Sequence, residues 1–129
     1  MERRSAERGH YPLLVWRKAM DLAESTYAVT LRLPQHETYG LASQLRRAAA
    51  SIPSNIAEGY GRSSRKDYLR HLGIANGSLL ELETQIILAE RVAYLTEQKA
   101  KVILGLSSEV GKMLARMVAG LRRLPTPER

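Results

Sequence analysis

A chain of 129 residues, 44% of them hydrophobic, is long enough for one domain with its own core and too short for a second of ordinary size. It has no cysteine, which excludes a disulfide framework, thiol catalysis and cysteine-ligated zinc or iron–sulfur sites, and which agrees with a reducing cytosol. Twenty Lys and Arg against thirteen Asp and Glu leave a net charge of +7, a balance that favours polyanionic partners through counterion release.

The charge is biased towards the first 70 positions, which hold 12 basic and 7 acidic residues and therefore +5 of the +7. Residues 1–12 carry Arg3, Arg4 and Arg8 in polar sequence without periodicity, and read as a flexible basic arm lacking the apolar run of a secretory signal. No stretch approaches the ~18 consecutive apolar residues of a membrane span. A soluble, cytoplasmic protein is the expectation.

From Leu14 to Leu33, Val15, Ala19, Leu22, Val29 and Leu33 recur at helical spacing around Trp16 and Tyr27, and Pro34 ends the run. A second helix is predicted over Glu37 to Tyr60, with Leu41, Leu45, Ala48, Ile52 and Ile56 on one face and Glu37 in the first turn, where the helix dipole favours an acid. Gly59 and Gly61 terminate it. Inside this helix Pro53 removes a backbone donor and crowds the preceding turn, at a cost of roughly 3 kcal/mol. The expectation is a kink at Pro53 whose freed groups are satisfied by Ser51, Ser54 or Asn55.

Ser64-Arg65-Lys66-Asp67 resembles a capping box with Asp in the acidic place, and opens a third helix to about Leu95. Thr96 caps a fourth, followed by Glu97 and running to about Arg123, where Pro125 and Pro127 stop it and leave residues 125–129 as a flexible tail. The apolar residues of the fourth helix spread over roughly 160°, wider than one core-facing stripe requires, so part of that surface is expected to meet another subunit. Gly73 and Gly77 give the third helix a small-residue patch; since glycine costs a helix about 1 kcal/mol relative to alanine, the patch predicts close approach of another helix, with merely tolerated glycines as the alternative. Together these elements predict an all-α fold, an antiparallel up-down-up-down four-helix bundle over residues 13–124 with its second helix kinked at Pro53.

Little in the chain carries catalytic or cofactor chemistry. Gly105 to Lys112 is not a phosphate-binding loop, because five residues separate its glycines, Met113 replaces the magnesium-binding hydroxyl and no strand precedes it. Gly59-Tyr60-Gly61 lacks the third glycine of a dinucleotide fingerprint, since Ser64 occupies that position. Asp67 and His71 stand at i and i+4 as two conceivable metal ligands, but read more simply as an exposed acid–histidine pair, and the paired Glu-x-x-His motifs of a di-iron bundle are missing. His10 and His36 have no partners in sequence. No metal, no cofactor and no catalytic residue is predicted.

Two constellations remain. Ser51, Asn55 and Glu58 share one helical face, as do Ser78, Glu81 and Gln85, so the second and third helices carry polar stripes that can meet. A general acid or base built from Glu58 and Glu81 is one reading; a hydrogen-bond knot that repairs Pro53 and fixes helix register is the preferred one, because no nucleophile or oxyanion donor accompanies the carboxylates. The second constellation is basic and aromatic: Arg46 and Arg47, then Tyr60, Arg62, Arg65, Lys66, Tyr68 and Arg70. Guanidinium and phenol groups suit phosphate contact and base stacking, against the plainer reading of a solvated face with Tyr68 in the core.

In order along the chain, Trp16 with Ala19 and Leu22, Leu33-Pro34, Glu37-Thr38-Tyr39-Gly40-Leu41, the run Gln44 to Gly59 around Pro53, and Ile74 to Glu83 resemble the large-subunit (23S) ribosomal RNA intervening-sequence protein family, relatives of the accessory proteins of diversity-generating retroelements. The resemblance covers Leu14 to Leu124. It implies an antiparallel bundle, commonly a ring-shaped homopentamer, without established enzymatic activity and with a nucleic-acid connection. It also makes Ser51, Pro53, Asn55, Glu58, Gly77, Ser78 and Glu81 residues of the fold or assembly. The expected function is that of a non-enzymatic oligomer binding RNA or DNA through Arg46, Arg47, Arg62, Arg65, Lys66 and Arg70, as accessory to a reverse transcriptase or another nucleic-acid enzyme. The alternative is a protein–protein assembly module with incidental positive charge.

Overall fold

The structure, a computed structural model, describes residues 2–125, with side chains over 11–125. It consists of α1 (Glu2–Thr30), a 3₁₀ turn η1 (Gln35–Glu37), α2 (Leu41–Tyr60), α3 (Arg65–Arg91) and α4 (Glu97–Arg123), and no strand occurs among the described residues. Each helix packs on its neighbours in sequence and α4 closes back on α1, while among the described residues the backbones of the diagonal pairs, α1 with α3 and α2 with α4, stay apart across the shared core. The directions follow from cross-contacts. Gln44 meets Gln85, Ser51 meets Ser78 and Asn55 meets His71, so α3 descends as α2 rises. Ser107 likewise meets Glu83 while Arg65 reaches Leu121, and α4 runs against α3.

The core is aliphatic. Val15 and Leu22 of α1, Leu45, Ile52 and Ile56 of α2, Leu72, Leu82 and Ile86 of α3, and Ile103, Val110 and Leu114 of α4 are all essentially inaccessible. Burying a side chain of this size contributes about 1.5–3 kcal/mol, which lets the fold carry Pro53, buried within α2, whose helical course is continuous from Leu41 to Tyr60.

Three boundaries differ from the sequence reading, each for a local reason. Helical backbone begins at Glu2, so residues 2–12, expected as an arm, continue α1 across Pro12; Met1 and residues 126–129 of the expected tail lie outside the described residues. Glu37 belongs to η1 and not to the first turn of α2. It still serves that helix, because Gly40 at the cap offers no side chain and the Glu37 carboxylate accepts from the Leu41 N–H at 3.0 Å. α3 stops at Arg91, before the expected Leu95, because Ala93 adopts φ 66°, a left-handed conformation. The Tyr94 N–H then donates to the Ala89 carbonyl at 2.8 Å and the Ala93 N–H to that of Glu90 at 2.9 Å, closing the helix as a Schellman motif with alanine in the place glycine usually takes. The caps of Ser64, accepting from Asp67 N–H at 3.1 Å, and Thr96, accepting from Lys99 N–H at 3.2 Å, stand where the sequence puts them.

Candidate functional site

The polar stripes of α2 and α3 do meet, with a different membership. Ser78 Oγ donates to Ser51 Oγ at 2.8 Å, and Asn55 Nδ2 donates to the Ser51 carbonyl at 2.9 Å and to its Oγ at 3.1 Å. Since the Asn55 amide nitrogen is spent in this way, its Oδ1 is left to accept from His71 Nδ1 at 2.9 Å. The imidazole is therefore the Nδ1–H tautomer, and its Nε2 accepts from Arg70 Nη2 at 3.3 Å. His71 is buried, contrary to the exposed acid–histidine pair expected with Asp67. The Asp67 carboxylate instead accepts from Arg70 Nε at 3.0 Å, which, with desolvation opposing, holds its pKa below the ordinary value. Among the described residues no three His, Asp or Glu converge as metal ligands.

Glu58 and Glu81 are not part of this seam. Glu58 pairs with Arg62 at 2.9 Å on the surface, Glu81 is exposed, and the two lie roughly 15 Å apart along the helix axes at 1.5 Å per residue. They form no acid–base pair; the seam is made by Ser51, Asn55, Ser78 and His71, none of whose hydrogen bonds reaches the Ala49 carbonyl that Pro53 leaves without its helical donor. Gln85 lies further along, donating to Gln44 Oε1 at 3.2 Å while its own buried Oε1 has no partner. Gly59 fits the same close approach. A Cβ there would lie 2.9 Å from His71 Cβ and 3.0 Å from Tyr68 Cδ1. Gly73 and Gly77, by contrast, face no other helix of this chain; a Cβ at either would meet open space.

The six basic residues singled out in the sequence are not one patch. Arg46 folds back on α1, donating to Thr30 Oγ1 at 2.9 Å with its guanidinium 5.6 Å from the Tyr27 ring centre. Arg47 is exposed one residue on, roughly 20 Å along α2 from the α2–α3 turn. At the turn, Arg62 contacts Glu58 and, at 3.9 Å, Asp67, while Arg70 holds Asp67. Arg65 is half-buried and turns inward: its Nη1 donates to the carbonyls of Leu124 at 2.6 Å, Leu121 at 3.2 Å and Pro125 at 3.2 Å, supplying donors for the otherwise unpaired end of α4. Lys66 is exposed.

What the turn does border is a cleft of about 840 Å³ between the start of α3, the end of α4 and α1 at Tyr11 and Pro12. Arg62, Arg65, Arg116 and Arg123 line it, with Tyr11, Tyr60 and Tyr68 and the serines 63 and 64, and among the described residues no acidic one does. Tyr60, 54% exposed, stands edge-to-face against Tyr68 at 6.3 Å. Burial and the neighbouring Tyr60 push the Tyr68 phenol up to about 12, and its hydroxyl has no hydrogen-bond partner. Tyr11 reaches across to the Met113 carbonyl at 3.5 Å. Sequence reasoning missed Tyr11, Arg116 and Arg123, which no local spacing connects to the turn.

A small all-helical bundle with a satisfied polar seam and one arginine- and tyrosine-lined end defines the class of protein. The model of the 23S rRNA-intervening sequence protein family matches residues 12–116, and the chain belongs to that family. Its structure is similar to that of a protein of unknown function from the S23 ribosomal protein family of Bacteroides thetaiotaomicron, at 25% identity and a TM-score of 0.79, over 84% of this chain and 98% of the other. No curated protein matches the chain.

Proposed function

We propose that this protein is a non-enzymatic, self-associating cytoplasmic bundle that binds the phosphate backbone of RNA or DNA, as an accessory to a nucleic-acid enzyme such as a reverse transcriptase. The observation that carries the reading is the cleft at one end of the bundle, lined among the described residues by four arginines and three tyrosines and by no acid, in a chain of net charge +7. Groups of this kind contact phosphate and stack on bases. Self-association is supported by the apolar surface the protomer leaves uncovered: Leu13, Met20 and Tyr27 on α1 with Leu31 just after it, and Leu80, Ile87 and Leu88 on α3, the helix on which Gly73 and Gly77 would admit a close neighbour. A homopentamer is the assembly implied by the resemblance, and repetition of a basic end around a ring multiplies a weak contact.

Titration of labelled single-stranded RNA and duplex DNA at several salt concentrations, with the mass measured by light scattering, tests both parts. The reading predicts a multimer whose affinity falls with salt, by a slope of about 0.7 per phosphate engaged on a single strand. A clean multimer that binds neither probe at low salt favours the second reading, an assembly module, which the same apolar faces of α1 and α3 support.

A further inference from the structure

We infer that the cleft at the α2–α3 turn is a seat for one unpaired nucleotide, which makes the protein a reader of single strands, loops or ends in preference to duplex; this rests on the nucleic-acid reading above. A duplex presents phosphate in a continuous ridge and keeps its bases stacked, so an exposed basic face would suffice for it. This protein instead places its unpaired arginines beside aromatic rings in a recess. The volume of about 840 Å³ falls in the usual range of small-molecule sites, about 300–1,000 Å³.

The side chains lining the recess divide by what they have left to offer. Arg65 is committed to the α4 carbonyls and Arg62 to Glu58 and Asp67. Arg116 and Arg123, exposed on the last turns of α4, hold no ion pair among the described residues and are the phosphate ligands. Ser63 and Ser64 border the same space where α3 begins, so the positive end of that helix offsets the negative ends of α2 and α4 that meet there, and the arginines set the sign of the field. Asp67, in the first turn of that helix, does not line the cleft and is neutralised by Arg70 and Arg62. Tyr60 supplies a ring surface for the base, fixed by its contact with Tyr68.

Two double variants that each lower the net charge from +7 to +5 separate this site from a diffuse positive field: Arg116→Ala with Arg123→Ala in the cleft, and Arg47→Ala with Lys66→Ala outside it. Tyr60→Leu keeps apolar bulk and removes the stacking surface. Circular dichroism reports the folding of all three. The probes are a short labelled single-stranded RNA, the same strand with abasic positions, and a duplex of the same length, at one salt concentration.

The cleft pair and Tyr60→Leu are each expected to weaken single-strand binding about tenfold or more, the size of one lost base stack. The abasic strand should lose a similar factor on wild-type protein, and the outer pair should change binding by much less. Equal losses from the two double variants, with no effect of Tyr60→Leu or of removing bases, overturn the nucleotide seat while leaving backbone binding in place. Absence of any RNA binding by the folded wild-type multimer at low salt overturns the nucleic-acid reading and the seat together.

Discussion

The two ends of the bundle are built from similar residues and treat them in opposite ways. At the end where α1 passes through η1 into α2 and α3 turns into α4, the polar side chains satisfy one another. Glu37 accepts from the Leu41 N–H at 3.0 Å and from the Tyr94 hydroxyl at 3.0 Å, and Tyr94 lies 3.3 Å from His36 Nε2 and edge-on to its ring. At the other end, Tyr60 is more than half exposed, and among the described residues the Tyr68 hydroxyl has no partner and Arg116 and Arg123 have no acid. An end that only has to hold two helices together consumes its hydrogen-bonding capacity. The end that keeps donors and ring surface in reserve is where the proposed ligand would sit.

The largest predicted effect lies between the ends, on the seam that fixes their geometry. Asn55→Ala leaves His71 Nδ1 and the Ser51 carbonyl without their partner, and should cost about 1–3 kcal/mol of stability in a denaturant titration. RNA affinity of the folded fraction should stay unchanged; a variant as stable as wild type would mean that the Ser78–Ser51–Asn55–His71 chain does not hold α2 to α3. Arg65→Ala comes next. It removes the donors from the end of α4 and should lower stability by about 1 kcal/mol while loosening the cleft, so that here stability and binding fall together.

The closed end gives two smaller effects. Ala93→Gly relieves a left-handed alanine and is expected to raise the unfolding midpoint by an amount equivalent to about 1 kcal/mol, with no change in binding. The hydrogen bonds from Leu41 and then Tyr94 hold the Glu37 carboxyl below its ordinary value of 4.5, and the same contact raises Tyr94. A depressed carboxylate stabilises the fold above its unfolded-state value and loses that contribution as pH falls through the folded-state one. Glu37→Gln should therefore flatten the decline in thermal stability below about pH 4.5, and should leave the pH dependence of RNA binding as it was.

The helices, the Ser64 and Thr96 caps and the meeting of Ser51 and Asn55 with Ser78 are legible in the sequence, because helical period and capping are local and the seam is two stripes of fixed phase. Three things are not. The break at residues 38–40 is hidden because Glu37 satisfies α2 from outside it, which looks in sequence like a first-turn acid. His71 has a tempting neighbour in Asp67, yet its partner is Asn55, sixteen residues away across the turn, where the close contact at Gly59 lets it reach. The cleft is the least legible feature, since Tyr11, Tyr60 and Arg116 come from three helices and acquire meaning only when α4 closes on α1. The density of Arg around the turn coincides with the end that carries the cleft, but Arg46 and Arg65 turn out to be bound to their own chain.

The division between a self-satisfied closed end and an open, ligand-ready one is tested most directly by mapping backbone amide shifts while a short single-stranded RNA is added to isotope-labelled protein. The account predicts shifts over residues 60–66 and 116–124, with Glu37, Leu41 and Tyr94 at the far end unmoved. Shifts centred on Arg47 or on the Glu37–Tyr94 end would contradict it.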